Sequence, residues 1–284
     1  MQELKLDELA GDFVFLEGPR WHEGRLWLSD MWGHAVFALG ADGRREQIAE
    51  VPNRPSGLAF LPDGRRVVVS MADRKLLEIG ADGRLSEFVD LSAHVSADIN
   101  DCVVDEAGGI YVGNFGYDLM AGAEPAPANL LRVTLGGQVK EVARDLSFPN
   151  GTVITPDGRT LICAETFGNC LTAFDRAADG SLSNRREWAA LGERTPDGIC
   201  LDAAGGVWVA SFMTDEFVRV TEGGAVTHRA ACPGRRAVAC NLGGADGRTL
   251  FALTYEGHIE EMGNGARNAR VEVCQVEAKA SGSP

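Results

Sequence analysis

Short apolar runs alternate with glycine-containing turns along almost the whole chain. Arg66 to Ser70 and Val207 to Ser211 are two such runs, and each follows an Asp-Gly or Gly-Gly turn. These pairs tolerate the positive backbone dihedrals of tight hairpin turns, so the runs between them are predicted to be β-strands. No stretch combines a sustained helical apolar period with the end caps of a long helix. The pattern therefore predicts an all-β protein.

The runs and turns recur as one repeating unit. The turn glycines follow one another at intervals of 40, 44, 50, 47 and 42 residues, at Gly24, Gly64, Gly108, Gly158, Gly205 and Gly247. A second turn lies later in most units, at Gly43, Gly83, Gly137, Gly180 and Gly223. Helical solenoids have comparable periods, but each unit here is built of strand, turn, strand, loop, strand, turn and strand. That order is one four-stranded blade, and six units predict a six-bladed β-propeller.

A small or polar residue stands about eight positions before each turn glycine: Glu17, Ser56, Asn100, Asn150, Asp197 and, in the last unit, Ala239 or Cys240. The innermost strands of a propeller line its channel, so equivalent positions converge there. Carboxylate and amide oxygens suit Ca²⁺, Mg²⁺ or Mn²⁺, and carboxylates also accept Zn²⁺ or Fe²⁺. The alternative is that Asn and Asp before Gly only form turns. Glu17 does not fit that alternative, because Glu is a poor turn residue.

Three motifs resemble those of the SMP-30/gluconolactonase/LRE family, and the match extends in order and spacing over nearly the whole chain. The motifs are residues 16–21 (LEGPRW), 148–151 (FPNG) and 195–198 (TPDG). The resemblance implies a six-bladed propeller that binds one divalent cation, with Ca²⁺ the expected ion, through Glu17, Asn150 and Asp197. It also implies hydrolysis of lactones, commonly sugar lactones.

The chemistry of these residues agrees with lactone hydrolysis. A divalent cation polarises a lactone carbonyl and activates a water molecule, and a carboxylate can take the water proton and return it to the leaving alkoxide. Asp197 is the expected base as well as a metal ligand. A Ser-His-Asp hydrolase is not indicated, since GxSxG is absent and no histidine stands at the aligned position. A propeller that binds metal or ligand without turnover and a protein-interaction scaffold remain alternatives.

The third unit departs from the family pattern. Many members that act on sugar lactones have Arg-x-Asn-Asp at this place, whereas this chain has Asp98-Ile99-Asn100-Asp101. Asn100 is expected to face the substrate, and Asp101 to bond a neighbouring blade. A carboxylate in place of the arginine changes what the pocket recognises, and Asp98 could also be an additional cation ligand.

An insertion rich in Gly, Ala and Pro, residues 115–127, follows in the same unit. A loop of this length is typically a functional lid or a disordered surface segment. Its apolar side chains predict a lactone or ester less polar than a sugar lactone, although ordinary packing between blades explains each aromatic equally well. The expected substrate contacts are Tyr117 and Met120 in the loop, and Phe167 and Phe212 in later units.

Composition and the chain ends complete the expectations. A chain that is 45% hydrophobic can bury a large core, and a closed ring counts as one domain, residues 1–277, with a flexible tail at 278–284. The last unit has only three strands, so a strand before Glu17 is predicted to complete its blade and remove an exposed edge.

Charge and cysteine content limit the partners. The net charge of −14 argues against nucleic acid and anionic membranes. No signal peptide or membrane-spanning run is visible. Seven cysteines, an odd number without a CxxC motif, indicate reduced thiols and a cytoplasmic protein. We expect a monomer or small homo-oligomer acting on a small lactone or ester.

Overall fold

Six sheets make up the structure, a computed structural model that describes residues 1–282. In all six, the innermost strand also contacts the innermost strands of the two neighbouring sheets, and these contacts close into a ring. The chain is therefore a six-bladed β-propeller of four-stranded blades, as the repeat predicts.

The first three blades follow one another along the chain, each with its innermost strand first. Blade 1 contains β3 (Leu16–His22), β4 (Arg25–Asp30), β5 (Ala35–Leu39) and β6 (Arg45–Glu50). Blade 2 contains β7 (Pro55–Phe60), β8 (Arg66–Ser70), β9 (Lys75–Ile79) and β10 (Leu85–Asp90). Blade 3 contains β11 (Ile99–Val104), β12 (Ile110–Asn114), β13 (Ala128–Val133) and β14 (Val139–Leu146).

The last three blades include both ends of the chain. Blade 4 contains β15 (Pro149–Ile154), β16 (Thr160–Glu165), β17 (Cys170–Arg176) and β18 (Leu182–Ala190). Blade 5 contains β19 (Pro196–Leu201), β20 (Val207–Ser211), β21 (Glu216–Val220), β22 (Val226–Ala231) and, on its outer edge, β1 (Gln2–Leu4). Blade 6 contains β23 (Arg236–Gly243), β24 (Thr249–Tyr255), β25 (Ala269–Gln275) and β2 (Asp7–Phe13).

The predicted turns are where the glycine pattern places them. The six turn glycines all have positive φ, between 70° and 89°. Two short 3₁₀ helices, Thr166–Gly168 and Ile259–Glu261, lie between strands of blades 4 and 6. Residues 1–282 contain no helix with the length and apolarity that spanning a bilayer requires. All seven cysteines are unpaired.

An N-terminal strand closes the ring, as predicted. β2 pairs antiparallel with β25, from Asp7 opposite Val273 to Phe13 opposite Ala269. The preceding strand, β1, was not anticipated; it pairs in parallel with β22 of blade 5. The N-terminal segment therefore joins two blades.

The segment expected to be a flexible tail makes several backbone hydrogen bonds. The Ala203 N–H donates to the Lys279 carbonyl, and the Ala280 and Ser281 N–H groups donate to carbonyls of Gly247 and Leu201. The start of the segment is thus held against the turns of blades 5 and 6. Positions 283 and 284 of the expected tail lie outside the described residues.

Candidate metal centre and substrate rim

Every innermost strand contains a break in register at the residue that leads its repeat. The breaks fall between Glu17 and Arg20, Pro55 and Leu58, Ile99 and Cys102, Pro149 and Thr152, Pro196 and Ile199, and Ala237 and Ala239. Such bulges bend a strand and re-aim its side chains, and they are frequent beside active sites. The leading residues therefore lie in or at bulges of strands, not in turns.

The glycine after a leading residue is needed because the next blade approaches closely. A Cβ added to Gly151 would lie 2.5 Å from the Ile199 nitrogen, and one added to Gly198 would lie 2.4 Å from the Cβ of Ala239. The interpretation of these Asn-Gly and Asp-Gly pairs as turn formers is thus wrong. Gly198 packs closely against Gly151, and Ala239 packs against Gly198 in the same way. Ala239 is therefore equivalent to these glycines, and the residue before it, Val238, takes the leading position of blade 6. Ala239 or Cys240 was expected there.

Asn150 and Asp197 each present a buried oxygen without a hydrogen-bond partner. Among residues 1–282, nothing pairs with the Oδ1 atom of either side chain. The Asn150 amide is held by its nitrogen, which donates to Thr166 Oγ1 at 3.2 Å, and the Thr166 hydroxyl donates to the Pro196 carbonyl at 2.7 Å. This chain of bonds fixes the amide orientation and leaves its oxygen free. Thr166 is a positioning residue that the sequence motifs did not indicate.

The carboxyl groups of Glu17 and Asp197 are buried, at 8% exposure each. Burial raises the pKa of Asp197 to about 8, and the Asn150 side chain partly offsets this effect. Burial also raises the pKa of Glu17 well above its usual value, and the charges of Asp197 and Asp101 add to the shift. Asp101 raises the pKa of both carboxyl groups, and Asp197 also raises that of Glu17. A bound cation would offset this accumulation of buried negative charge.

These residues fit a hard divalent cation. Buried polar oxygens are normally paired, so two unpaired oxygens beside a buried carboxyl group indicate a missing positive partner. All the donors are oxygens, as Ca²⁺ and Mg²⁺ prefer. In residues 1–282 no three His, Cys, Asp or Glu side chains gather at metal-binding spacing. The predicted set of Glu17, Asn150 and Asp197 differs from such a cluster in taking one ligand from an amide.

Arg20 lies beside this centre and was missed at the sequence level. It is 5% exposed, and its Nη2 donates to Asp101 Oδ1 at 2.7 Å and to the Cys102 carbonyl. Asp101 was expected to bond a neighbouring blade; its partner instead comes from blade 1, two blades away. The only sequence signal is that Arg20 follows Glu17 by three residues in the motif.

Asp98 forms an ion pair with Arg54, whose Nη2 donates to Asp98 Oδ2. Arg54 directly precedes β7 and Asp98 directly precedes β11, so the pair lies where two innermost strands begin. An arginine is therefore present at this rim, but it comes from blade 2. Asn100, the expected substrate contact, is buried in β11 at 3% exposure.

Four aromatic rings form a wall where blades 3 and 4 meet. Phe148 stacks on Phe115 with ring centroids 4.4 Å apart, and it contacts Phe167 at 5.0 Å and Tyr117 at 6.4 Å. Tyr117 is buried, whereas Phe167 is half-exposed. Tyr117 and Phe167, two of the four expected apolar substrate contacts, thus meet here. They pack around Phe148, which was not among the expected contacts.

The other two expected apolar contacts are Met120 and Phe212. Met120 is 52% exposed on the inserted loop. Phe212 lies in blade 5, where the Arg236 guanidinium carbon is 5.9 Å from its ring centroid.

The cavity of about 420 Å³ in the ring lies at the other end of the innermost strands. It is lined by Arg20 and by residues near the turns, such as Asp157 and Gly247, together with Ala280 and Ser281. Glu17, Asn150 and Asp197 do not line it. The candidate metal centre and this cavity therefore occupy different levels of the channel.

The fold and these motifs agree with comparisons to known proteins. The model of the SMP-30/gluconolactonase/LRE-like region matches residues 15–256. The chain belongs to this family. A pentonolactonase, XacC from Haloferax volcanii, is 25% identical, and the match covers 94% of this chain and 92% of that protein.

Two solved structures illustrate the likeness in fold. A gluconolactonase from Xanthomonas campestris is 25% identical with a TM-score of 0.79, covering 95% of this chain and 89% of that one. A calcium-binding regucalcin from Agrobacterium tumefaciens is 21% identical with a TM-score of 0.83, covering 100% and 98%.

Proposed function

We propose that this protein is a divalent-metal-dependent lactonase, with Ca²⁺ the expected ion and Zn²⁺, Mg²⁺, Mn²⁺ or Fe²⁺ as alternatives. The observation that carries the proposal is the pair of buried oxygens on Asn150 and Asp197 that have no partner among residues 1–282. Glu17 is buried as well, and the charge of Asp197 raises its pKa. The names of the relatives, a pentonolactonase and a gluconolactonase, support lactones as the substrate class.

Each residue has a distinct task in this proposal. Glu17, Asn150 and Asp197 would hold the cation, which when bound polarises the lactone carbonyl and acidifies water. Asp197 takes the proton of the attacking water and passes it to the alkoxide that leaves when the ring opens. Thr166 keeps the Asn150 oxygen turned toward the site through the hydrogen bond at 3.2 Å. Asn100 is assigned to orient the substrate.

The aromatic wall supports a substrate with an apolar edge. Tyr117, Phe148 and Phe167 would contact that edge and so remove it from water. Met120, which is exposed on the inserted loop, and Phe212, which lies in blade 5, are assigned a secondary role. The unpaired thiols agree with a cytoplasmic protein, which is part of the proposal.

Metal removal and return test the activity. Protein treated with EDTA should lose turnover on a panel of aliphatic and sugar lactones and regain it when Ca²⁺, Zn²⁺, Mg²⁺, Mn²⁺ or Fe²⁺ is supplied. Binding of a cation without turnover of any lactone would favour a non-catalytic binding protein.

Substitutions test the residue roles. Asp197→Asn should lower kcat about 10²–10⁴-fold, the usual contribution of a general base, and Glu17→Gln should weaken cation binding. Glu222→Gln, at an exposed turn of blade 5, is the matched control and should change neither quantity. An Asp197→Asn protein with wild-type turnover and bound metal would remove Asp197 as the base.

A further inference from the structure

Arg54 occupies a strained place at the rim of the channel. It has φ of 64°, the left-handed region, although it carries a long side chain and directly precedes Pro55. Non-glycine residues in this region are costly, and they concentrate at ligand-binding sites. Arg54 stands two residues before Ser56, the leading residue of blade 2. Its side chain is 13% exposed, so it is mostly buried yet reachable from solvent.

The Arg54 guanidinium is only partly satisfied. Nη2 donates to Asp98, and the guanidinium carbon lies 5.2 Å from the ring centroid of Trp32 in blade 1. Nη1 is buried and has no partner among residues 1–282, and the same holds for Nε1 of Trp32. Two buried N–H donors on side chains in contact, both without an acceptor, indicate an acceptor oxygen that the protein itself does not provide.

The charges at this place favour a neutral oxygen over an anion. Asp98 cancels the charge of Arg54, so an incoming carboxylate would meet both a cation and an anion. A hydroxyl group suits the arrangement better, because it can accept from Arg54 or Trp32 and donate to the Asp98 carboxylate, whose side chain is 22% exposed. We propose that Trp32, Arg54 and Asp98 form a subsite for a hydroxyl group on the lactone, an inference that rests on the lactonase function proposed above.

The subsite gives the substrate pocket two unlike sides. Blades 1 to 3 present the donors and the carboxylate, while blades 3 and 4 present the aromatic wall around Phe148. The substrate that satisfies both sides is a lactone with a hydroxyl group toward Arg54 and an apolar edge toward Phe148. Arg54 is thus a specificity-determining residue, and Asp98 positions it.

The test compares lactones that share one ring and differ in one substituent: none, a hydroxyl group or a carboxylate. Arg54→Lys keeps the charge beside Asp98 but removes the planar fork. It should lower kcat/KM for the hydroxylated lactone about tenfold to hundredfold and leave the unsubstituted lactone within about threefold. Trp32→Phe, which removes only the N–H donor, should cost the hydroxylated lactone about threefold to tenfold.

A second arginine–tryptophan pair gives matched controls. Arg66 lies 5.6 Å from the Trp27 ring, and its Nη2 donates to the Gly80 carbonyl. Arg66→Lys and Trp27→Phe should leave the preference for the hydroxylated lactone unchanged. Thermal melting of all four variants checks that they are folded.

The outcomes for the subsite and for the lactonase function are separable. If wild-type protein hydrolyses lactones but Arg54→Lys lowers all three equally, or chiefly the carboxylated one, the subsite is refuted and the function stands. If wild-type protein hydrolyses none, the function is refuted, and binding of hydroxylated and unsubstituted lactams by calorimetry decides the subsite. Wild-type protein must then bind the hydroxylated lactam more tightly, and Arg54→Lys must abolish the preference; any other result overturns the inference.

Discussion

The arrangement of Glu17, Asn150 and Asp197 at the centre of the ring lowers the stability of the protein when no cation is bound. Burial raises the pKa of both Glu17 and Asp197, so the buried carboxyl groups hold protons where exposed ones would be ionised. Asn150 and Asp197 each keep a buried oxygen that has no partner among residues 1–282, whereas buried polar groups in proteins are normally hydrogen-bonded. Such costs concentrate at functional sites, because the missing partner is supplied by the ligand.

Cation affinity should depend on pH. The pKa of Asp197 is about 8 without a cation, so below pH 8 a cation must displace its proton, and the Glu17 proton adds to the effect. Affinity should therefore rise from pH 6 to pH 8, by up to about tenfold per pH unit for each proton displaced. Calorimetric titration with Ca²⁺ in buffers of different ionisation enthalpy measures both the affinity and the number of protons displaced. A dissociation constant that is unchanged between pH 6 and 8 would contradict the prediction.

The Arg20–Asp101 pair is a second feature at this scale. Asp101→Ala should destabilise the protein by about 3–5 kcal/mol, because it leaves the buried Arg20 without its counterion. Replacing both, with Arg20→Met and Asp101→Leu, should restore much of the loss, since buried ion pairs are often replaceable by apolar groups. Urea unfolding measures the difference, with Asp42→Asn at an exposed turn as the control. A single variant within about 1 kcal/mol of wild type would show that Arg20 finds another partner.

At the scale of the strand, one device recurs in all six blades. Each innermost strand bulges at its leading residue. In four blades a glycine follows, at Gly18, Gly57, Gly151 and Gly198, where the next blade leaves no room for a Cβ. The bulge aims a side chain toward the channel, and the glycine lets the blades approach.

Gly198→Ala tests this packing. The new methyl group would clash with Ala239, so we expect a loss of stability of about 1–3 kcal/mol or more and weaker cation binding, because Asp197 is adjacent. Gly205→Asn is the control: its φ of 80° suits Asn and no atom lies within 4 Å of the added Cβ. Chemical unfolding and cation titration report the two effects. Equal stabilities of the two variants would refute the close-approach explanation.

For the whole molecule, ring closure depends on the N-terminal segment. β2 supplies the outer strand of blade 6, and β1 adds to the edge of blade 5. Closure by a strand from the other end of the chain joins blades that are distant in sequence and covers an edge that would otherwise be open to aggregation.

Deletion of residues 1–13 should therefore lower the melting temperature strongly and promote aggregation, because the deletion exposes the β25 edge. Deletion of residues 2–4 alone should have a small effect, since β1 is short and mostly exposed. Differential scanning fluorimetry and size-exclusion chromatography distinguish the two cases. A stable, monodisperse protein without β2 would show that this strand does not hold the ring closed.

Local chemistry in the sequence was sufficient to predict the architecture. Asp-Gly and Gly-Gly turns with positive φ, short apolar strands and a regular period act over a few residues, and they specified six four-stranded blades and the closing strand. The candidate residues Glu17, Asn150 and Asp197 could also be named from their motifs. Among the six leading positions, the one in blade 6 was misplaced: the register break there falls between Ala237 and Ala239 and puts Val238 in the leading place.

Tertiary structure decided which side chains meet. Arg20 reaches Asp101 across 81 positions of sequence, and Arg54 reaches Asp98 across 44. Long side chains extend beyond their own strand, and the ring brings together residues that no local pattern relates. The sequence thus determined the blades and the residues available at the channel. The closed ring determined their partners, and within residues 1–282 it left the oxygens of Asn150 and Asp197 without one.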